Sequence, residues 1–488
     1  MKNESVAELI GRRLGLGART ARGAMVLACC AGLCVAQGVA RADEDPFVQD
    51  QVLVRLAEGA SIEQVRASYG ATIGGSVASR RVYLLQFPEG SDEVQLAQQL
   101  DADPRVLEAN LNLIGLDEDP NGTTQSIFLS MPQVVYQGDD TPGRAGFGGV
   151  PQGVGGSGVT VAVLDSGVDA AHPLLAGRIA PGGFNFVQNN TDTSDLADNA
   201  DTNSNGVIDE VRGHGTLVAG LVARNAPQAR ILPVRVMNSD GQAKSFSLIS
   251  GIYHAIDQGA TVINVSLTMR ADAALLRVAV DDALARGVVV VASAGNASTE
   301  ETRYPAAIPG VVGVAGIDDD SVRADFSNYG TWVDLAAPSV GVVSLTPGGG
   351  YGAVDGTSFG APLVSAAAAL LRGQCPGASG AMILEALRSG ATNINAINPS
   401  YVGRLGAGAL NAGATVSLFA PECPCDDVDF NQDGVFPDLA DVTDFVIVMA
   451  GGPCPTDGCN DMDFNNDGIS PDLGDVVRFL AVFAGEAC

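Results

Sequence analysis

Residues 159–169 read VTVAVLDSGVD. Six β-branched or apolar residues run without polar alternation and stop at Asp165. A continuous run of this kind suits a strand covered on both faces. A carboxylate at its end is costly to bury without a partner. The pattern recurs as ILPVRVM (231–237), TVINVSL (261–267), VVVVASAGN (288–296) and VVGVAGI (311–317). SLISGIYHAIDQGA (247–260) and ADAALLRVAVDDALARG (271–287) lie between the runs and carry apolar residues at helical spacing. The alternation predicts an α/β fold with a doubly wound, mostly parallel sheet over residues 158–415. In such sheets ligands sit beyond the carboxyl ends of the strands, where Asp165 falls.

Two other junctions carry chemistry. His214 lies in RGHGTLVAG (212–220), flanked by glycines where a helix begins. Ser358 lies in DGTSFGAPLVSAAAALL (355–371), at a turn entering an alanine-rich helix. A serine is a weak nucleophile until a base accepts its proton. The base in turn needs a carboxylate to fix its tautomer and stabilise the imidazolium. A helix N-terminus favours charge developing on a nearby oxygen. His172, beside Pro173, reads as a loop histidine, and His254 as a mid-helix residue, packed or solvated.

With VAVLDSGVD, GHGTLVAG and GTSFGAP in that order, the chain resembles the subtilases, and its catalytic region is expected to be subtilisin-like. VINVSL, YPAAIPGVVGVAGID and FSNYGTWVDLAAP extend the likeness through about 158–415. The resemblance implies a serine endopeptidase with Asp165, His214 and Ser358 as its triad. It implies Asn296 as an oxyanion donor beside the Ser358 backbone N–H. It also implies Ser266 and Leu267 opposite Ser293, Ala294 and Gly295 as walls of the primary substrate pocket. Thr268 departs from the glycine usual after Leu267, so a narrowed cleft is expected.

Residues 1–42 read as a signal peptide. Basic residues precede the apolar stretch 23–40, which leads to Ala40-Arg41-Ala42. Residues 48–115 read strand, helix, strand, strand, helix, strand, a small α+β unit. This region resembles the inhibitory propeptide of the same family, with its last strand leading toward the substrate cleft. Residues 116–157 form a linker rich in Gly, Asp, Pro and Thr.

Two kinds of acidic loop suggest calcium. DTNSNGVIDE (201–210) places Asp201, Asn203, Asn205 and Asp209 around Gly206, as an EF-hand-like loop begins. Residues 421–488 contain a repeat of period 34, read as a small helical EF-hand-like tail module. Asp429, Asn431 and Asp433 precede Gly434 in one copy; Asp463, Asn465 and Asp467 precede Gly468 in the other. Both copies resemble a dockerin, except that the acid expected at loop position twelve is displaced to Asp441 and Asp475. The resemblance implies calcium as a structural cofactor and a cohesin-like or cell-surface partner. Five of the 9 cysteines crowd this tail, which suits disulfides outside the cell. The repeat offset pairs Cys425 with Cys454 and Cys459 with Cys488 as the simplest scheme. Cys375 is left either to bond Cys423 or to remain a buried thiol.

With 56 acidic and 27 basic residues, the net charge of −29 excludes nucleic acid as a partner. No membrane span is expected once the signal is removed. Polypeptide substrates are the expected partners, and secretion or surface display the expected location. The rival reading is a calcium-dependent adhesion or binding protein built on an inactive protease fold.

Overall fold

The protein is seen in a computed structural model that describes residues 46–116, 133–419, 439–452, 476–477 and 479–480. The signal sequence therefore lies outside the described residues.

The N-terminal unit is built as the sequence predicts. Strands β1 (Phe47–Leu56), β2 (Thr72–Val77), β3 (Val82–Gln86) and β4 (Val106–Leu116) alternate with helices Ile62–Tyr69 and Glu93–Asp101. They form an antiparallel sheet in the order β2-β3-β1-β4. Val52, Leu53, Val54, Leu85, Leu100 and Leu111 are buried in its core.

The larger sheet contains β5 (Thr160–Asp165), β6 (Phe184–Asn185), β7 (Arg230–Arg235), β9 (Val262–Val265), β10 (Val289–Ser293), β11 (Val312–Ile317) and β12 (Leu335–Pro338). Their order is β12-β11-β10-β9-β5-β7-β6, with every pairing parallel. Alternate residues of β5 enter different cores. Val161 and Val163 pack with Leu217 of helix His214–Asn225 and Leu363 of helix Thr357–Gln374. Ala162 and Leu164 pack with Leu248 of helix Ser245–Asp257 and Leu276 of helix Ala274–Ala285. That two-residue period explains why β5 contains no polar alternation: both faces are covered.

Short strand β8 (Gln242–Lys244) leaves this sheet and pairs with β4 of the N-terminal unit. A hairpin of β13 (Val342–Thr346) and β14 (Gly350–Val354) delivers the chain to helix Thr357–Gln374. In the tail, helix Leu439–Met449 is described, and Phe445 stacks on Phe479 with ring centroids 4.2 Å apart. Among the described residues no helix is long and apolar enough to cross a membrane.

Candidate active site

Asp165 is the last residue of β5, and His214 the first of its helix. The His214 Nδ1–H donates to Asp165 Oδ1 at 2.7 Å, and both residues are at most 2% exposed. Asp165 Oδ1 also accepts from the Ser166 N–H at 2.7 Å. Gly215 permits this approach. A Cβ there would lie 2.1 Å from the Gly167 carbonyl oxygen and 3.1 Å from Asp165 Cβ.

A second buried carboxylate holds the same junction. Asp195 accepts from Ser166 Oγ at 3.1 Å and the Gly213 N–H at 2.9 Å. Its other oxygen accepts from the Thr216 N–H at 3.1 Å and the Thr216 hydroxyl at 2.8 Å. It thus caps the helix that begins at His214. Burial pushes the Asp195 carboxyl above the usual carboxylate range, opposed by donation from Gly213 and Thr216. Arg235 grips the carbonyls on either side, Ser194 at 2.8 Å and Leu196 at 3.3 Å.

Ser358 is the second residue of its helix. Its hydroxyl donates to the Ser266 carbonyl at 3.3 Å, and the Ser266 hydroxyl donates back to the Ser358 carbonyl at 2.9 Å. Pro362 stands inside this helix. It has no N–H for the carbonyl four residues earlier, which belongs to Ser358. Ser266 supplies the missing donor. Behind it, Asn264 Nδ2 donates to Ser266 Oγ, and Ser365 Oγ donates to Asn264 Oδ1, both at 2.9 Å. Phe359 packs its ring 5.1 Å from that of His214, so the residue after Ser358 touches the imidazole.

Asn296 is oriented by Thr357. Its Oδ1 accepts from the Thr357 N–H and the Thr357 hydroxyl, each at 2.9 Å. Two donors fix the oxygen there, so the amide N–H₂ points away from Thr357. The first N–H groups of the Ser358 helix lack intrahelical partners. Ser266, Leu267, Ser293, Ala294 and Gly295 are all buried at the ends of adjacent strands β9 and β10. Thr268 is also buried.

The N-terminal unit reaches this cleft. Ile114, Gly115 and Leu116 pair antiparallel with Lys244, Ala243 and Gln242. A Cβ on Gly115 would lie 2.9 Å from Met269 and 3.0 Å from the Thr268 carbonyl, so the strand lies close to both sides.

The acidic loop departs from its expected ligand set. Asn203 and Asn205 both donate their amides to Glu210, and Asp201 accepts from Asn205 and Gly206. Asp209 does not join them. Its carboxylate is taken by the backbone N–H groups of Asp198 and Asn199. Among the described residues no group of three or more His, Cys, Asp or Glu is disposed to hold a metal. Asp429, Asn431, Asp433, Asp463, Asn465, Asp467 and Asp475 lie outside the described residues, as does the Asp441 side chain. His172 lies in a loop and its ring bonds the Gly350 carbonyl at 3.1 Å, and the half-buried His254, in helix Ser245–Asp257, bonds that of Gly182 at 2.6 Å.

Sequence reading missed Asp195, the Ser266–Ser358 exchange and Glu210. Only the second left a signal: a proline four residues after the candidate nucleophile.

Comparison with known proteins places this arrangement. The model of the Subtilase family matches residues 156–408, more than half of the chain. The chain belongs to the subtilase family. Residues 48–120 separately match the family described as Open reading frame 2 N-terminal domain. A thermophilic serine proteinase of Bacillus sp. (strain AK1) is 40% identical over 220 residues, covering 45% of this chain and 53% of that protein. The match thus spans about half of that relative. Subtilisin BL of Lederbergia lenta is 36% identical over 272 residues, covering 54% of this chain and 92% of its own. Fervidolysin from Fervidobacterium pennivorans superposes with a TM-score of 0.63 over 78% of this chain and 62% of its own. At 22% identity that likeness shows the fold. The class of this subtilase is serine-type endopeptidase.

Proposed function

We propose that this subtilase is made as an exported zymogen and hydrolyses peptide bonds through an acyl-enzyme on Ser358. The carrying observation is the buried 2.7 Å pair of His214 and Asp165, with Phe359 linking His214 to the Ser358 turn. His214 Nε2 takes the Ser358 proton as its oxygen attacks the substrate carbonyl. It then returns that proton to the leaving amine. Asp165 holds the tautomer and stabilises the imidazolium. Asn296 Nδ2 and the Ser358 N–H receive the oxyanion. Water, activated by the same histidine, then releases the acyl group.

The zymogen reading rests on β4. Asn112 Oδ1 accepts from the Phe246 N–H at 3.1 Å, and Asn110 Oδ1 from the Leu275 N–H at 2.9 Å. These N–H groups open helices Ser245–Asp257 and Ala274–Ala285, neither of which has a side-chain cap bond of its own at its N-cap residue. The N-terminal unit therefore caps two helices of the catalytic unit while its last residues line the cleft. Export is supported by the signal-like residues 1–42 and by Cys375, which is disulfide-bonded rather than a free thiol.

Calcium suits the loop in a modified form. Glu210 draws two amide N–H groups to one carboxylate, so partial positive charge gathers where a cation would stand. Turning either amide over offers its oxygen instead. Asp201, Asn203, Asn205 and Glu210 then form the ligand set, with calcium stabilising the loop. The tail is proposed to bind calcium and dock to a cohesin-like or surface partner.

Expressing the precursor with Ser358→Ala tests the catalytic reading. It is expected to remain uncut near 113–125 and to take no fluorophosphonate label, while the parent matures and is labelled. Maturation of the purified variant without added protease overturns self-processing.

A further inference from the structure

Strand β4 runs between two segments of the catalytic unit. On one side, Ile114, Gly115 and Leu116 pair with Lys244, Ala243 and Gln242 of β8. On the other, Asn110 Oδ1 accepts from the Leu275 N–H at 2.9 Å, and further along β4 Gly115 lies against Thr268 and Met269. As β4 advances from 110 to 115, its neighbour falls back from 275 to 268, so the two segments run in opposite directions. Continuing back along the second segment leads to Ser266, whose carbonyl accepts the Ser358 hydroxyl at 3.3 Å. A chain that follows the course of β4, rising about 3.3 Å per residue, therefore comes to Ser358 about two or three residues beyond the position of Gly115.

Gly115 is buried, and glycine stands there for space rather than for backbone freedom. It lies within extended β4, and its φ is not in the left-handed region. A Cβ at this position would lie 2.9 Å from Met269 Cγ, 3.0 Å from the Thr268 carbonyl oxygen and 3.1 Å from Met269 Cε. A glycine inside a strand commonly marks such a close approach. Neither neighbour withdraws easily. The Thr268 oxygen belongs to the backbone. Met269 is 2% exposed and packs in the core that contains Leu267 and Leu276, and its backbone exchanges hydrogen bonds with Tyr304 at 2.7 and 2.8 Å. Ala243, across the strand, is buried as well.

We propose that Met269 and the Thr268 carbonyl close one subsite of the cleft to side chains, so that this subtilase selects glycine at the third or fourth residue before the scissile bond. The inference rests on the peptidase reading above, takes the course of β4 as that of substrate, and names the substrate class. Selection works by exclusion: a side chain at this position meets Met269 before the chain can settle between β8 and Thr268. Glycine lets the backbone approach both sides. In the precursor the same spacing puts the cut after residue 117 or 118, within the span 113–125 given above.

The test uses matured full-length enzyme and two peptide series, one varied at the third and one at the fourth residue before the scissile bond, with Gly, Ala, Leu and Phe. In one series the Gly peptide is expected to exceed the Leu peptide in kcat/KM by about tenfold or more, with Ala between them. Met269→Ala removes both blocking side-chain atoms and is expected to shrink that ratio by about threefold or more. In the precursor, Gly115→Leu is expected to slow self-maturation, and adding Met269→Ala to restore part of the rate. Fluorophosphonate labelling of Ser358 reads the competent fraction of each variant, so rates are compared per labelled site. Equal or better cleavage of the Leu peptide by the parent in both series overturns the proposal, as does a glycine preference that Met269→Ala leaves unchanged. Absence of hydrolysis and of labelling in the parent overturns the peptidase reading instead, so the two failures are distinguishable.

Discussion

The Ser266 hydroxyl donates to the Ser358 carbonyl at 2.9 Å and fills the place of the N–H that Pro362 lacks. This exchange connects the pocket wall to the proposed nucleophile. Ser266→Ala leaves that buried carbonyl short of a donor, at a cost of about 1–3 kcal/mol. It is expected to lower kcat more than it raises KM, because the Ser358 turn loses its support. Pro362→Ala returns a helical N–H to the same carbonyl. The cost of Ser266→Ala should therefore shrink in the Pro362→Ala background. A double-mutant cycle read by thermal melting and kcat checks this; strict additivity would count against the substitution of one donor for the other.

Asn110 and Asn112 are two residues apart on β4, so they share a face and cap neighbouring helices. Replacing each with alanine is expected to weaken the hold of the N-terminal unit by about 1 kcal/mol per cap. In the Ser358→Ala precursor, limited proteolysis should then remove residues 46–116 faster than in the parent. Unchanged susceptibility of the double variant would show that the caps do not carry the docking.

Much of this architecture was legible because burial on both faces demands continuous apolar runs, and β5, β7, β9, β10 and β11 all contain them. The places of the proposed triad residues Asp165, His214 and Ser358 were legible because each interrupts such a pattern where a strand ends or a helix begins. Asp195 was not. It sits in an irregular loop, and only the folded chain brings it to Gly213 and Thr216. Asp209 and Glu210 are adjacent in sequence, and loop spacing favoured the first. A backbone φ of 56° at Asp209 and its bonds to Asp198 and Asn199 turned it to another task.

Calcium removal separates those two neighbours. With calcium at about 100-fold over Kd, a site confined to the folded state adds about 2.7 kcal/mol. Chelation is therefore expected to lower the melting temperature. Glu210→Gln should remove a larger part of that calcium effect than Asp209→Asn, whose Oδ1 still accepts from Asp198 and Asn199. A melting curve indifferent to calcium refutes the site. A larger loss in Asp209→Asn restores the ligand set expected from spacing.

Asp195 provides a test in pH. Burial raises its carboxyl above the usual range, so the folded state holds the proton more tightly than the unfolded chain. Between the ordinary value near about 4 and the raised value, the folded state binds more protons. The contribution of this group to stability is therefore greatest at low pH and falls as pH rises through that window. Asp195→Asn carries no charge at any pH, but its amide turns donors toward Thr216 or Gly213. It should be less stable than the parent at acid pH, and the gap should narrow as pH rises. Urea unfolding of both proteins in the Ser358→Ala background, where self-digestion is absent, reads the difference directly. A gap that stays constant from about pH 4 to neutrality would show that burial does not set the ionisation of Asp195. Capping of the His214 helix would then be its whole contribution.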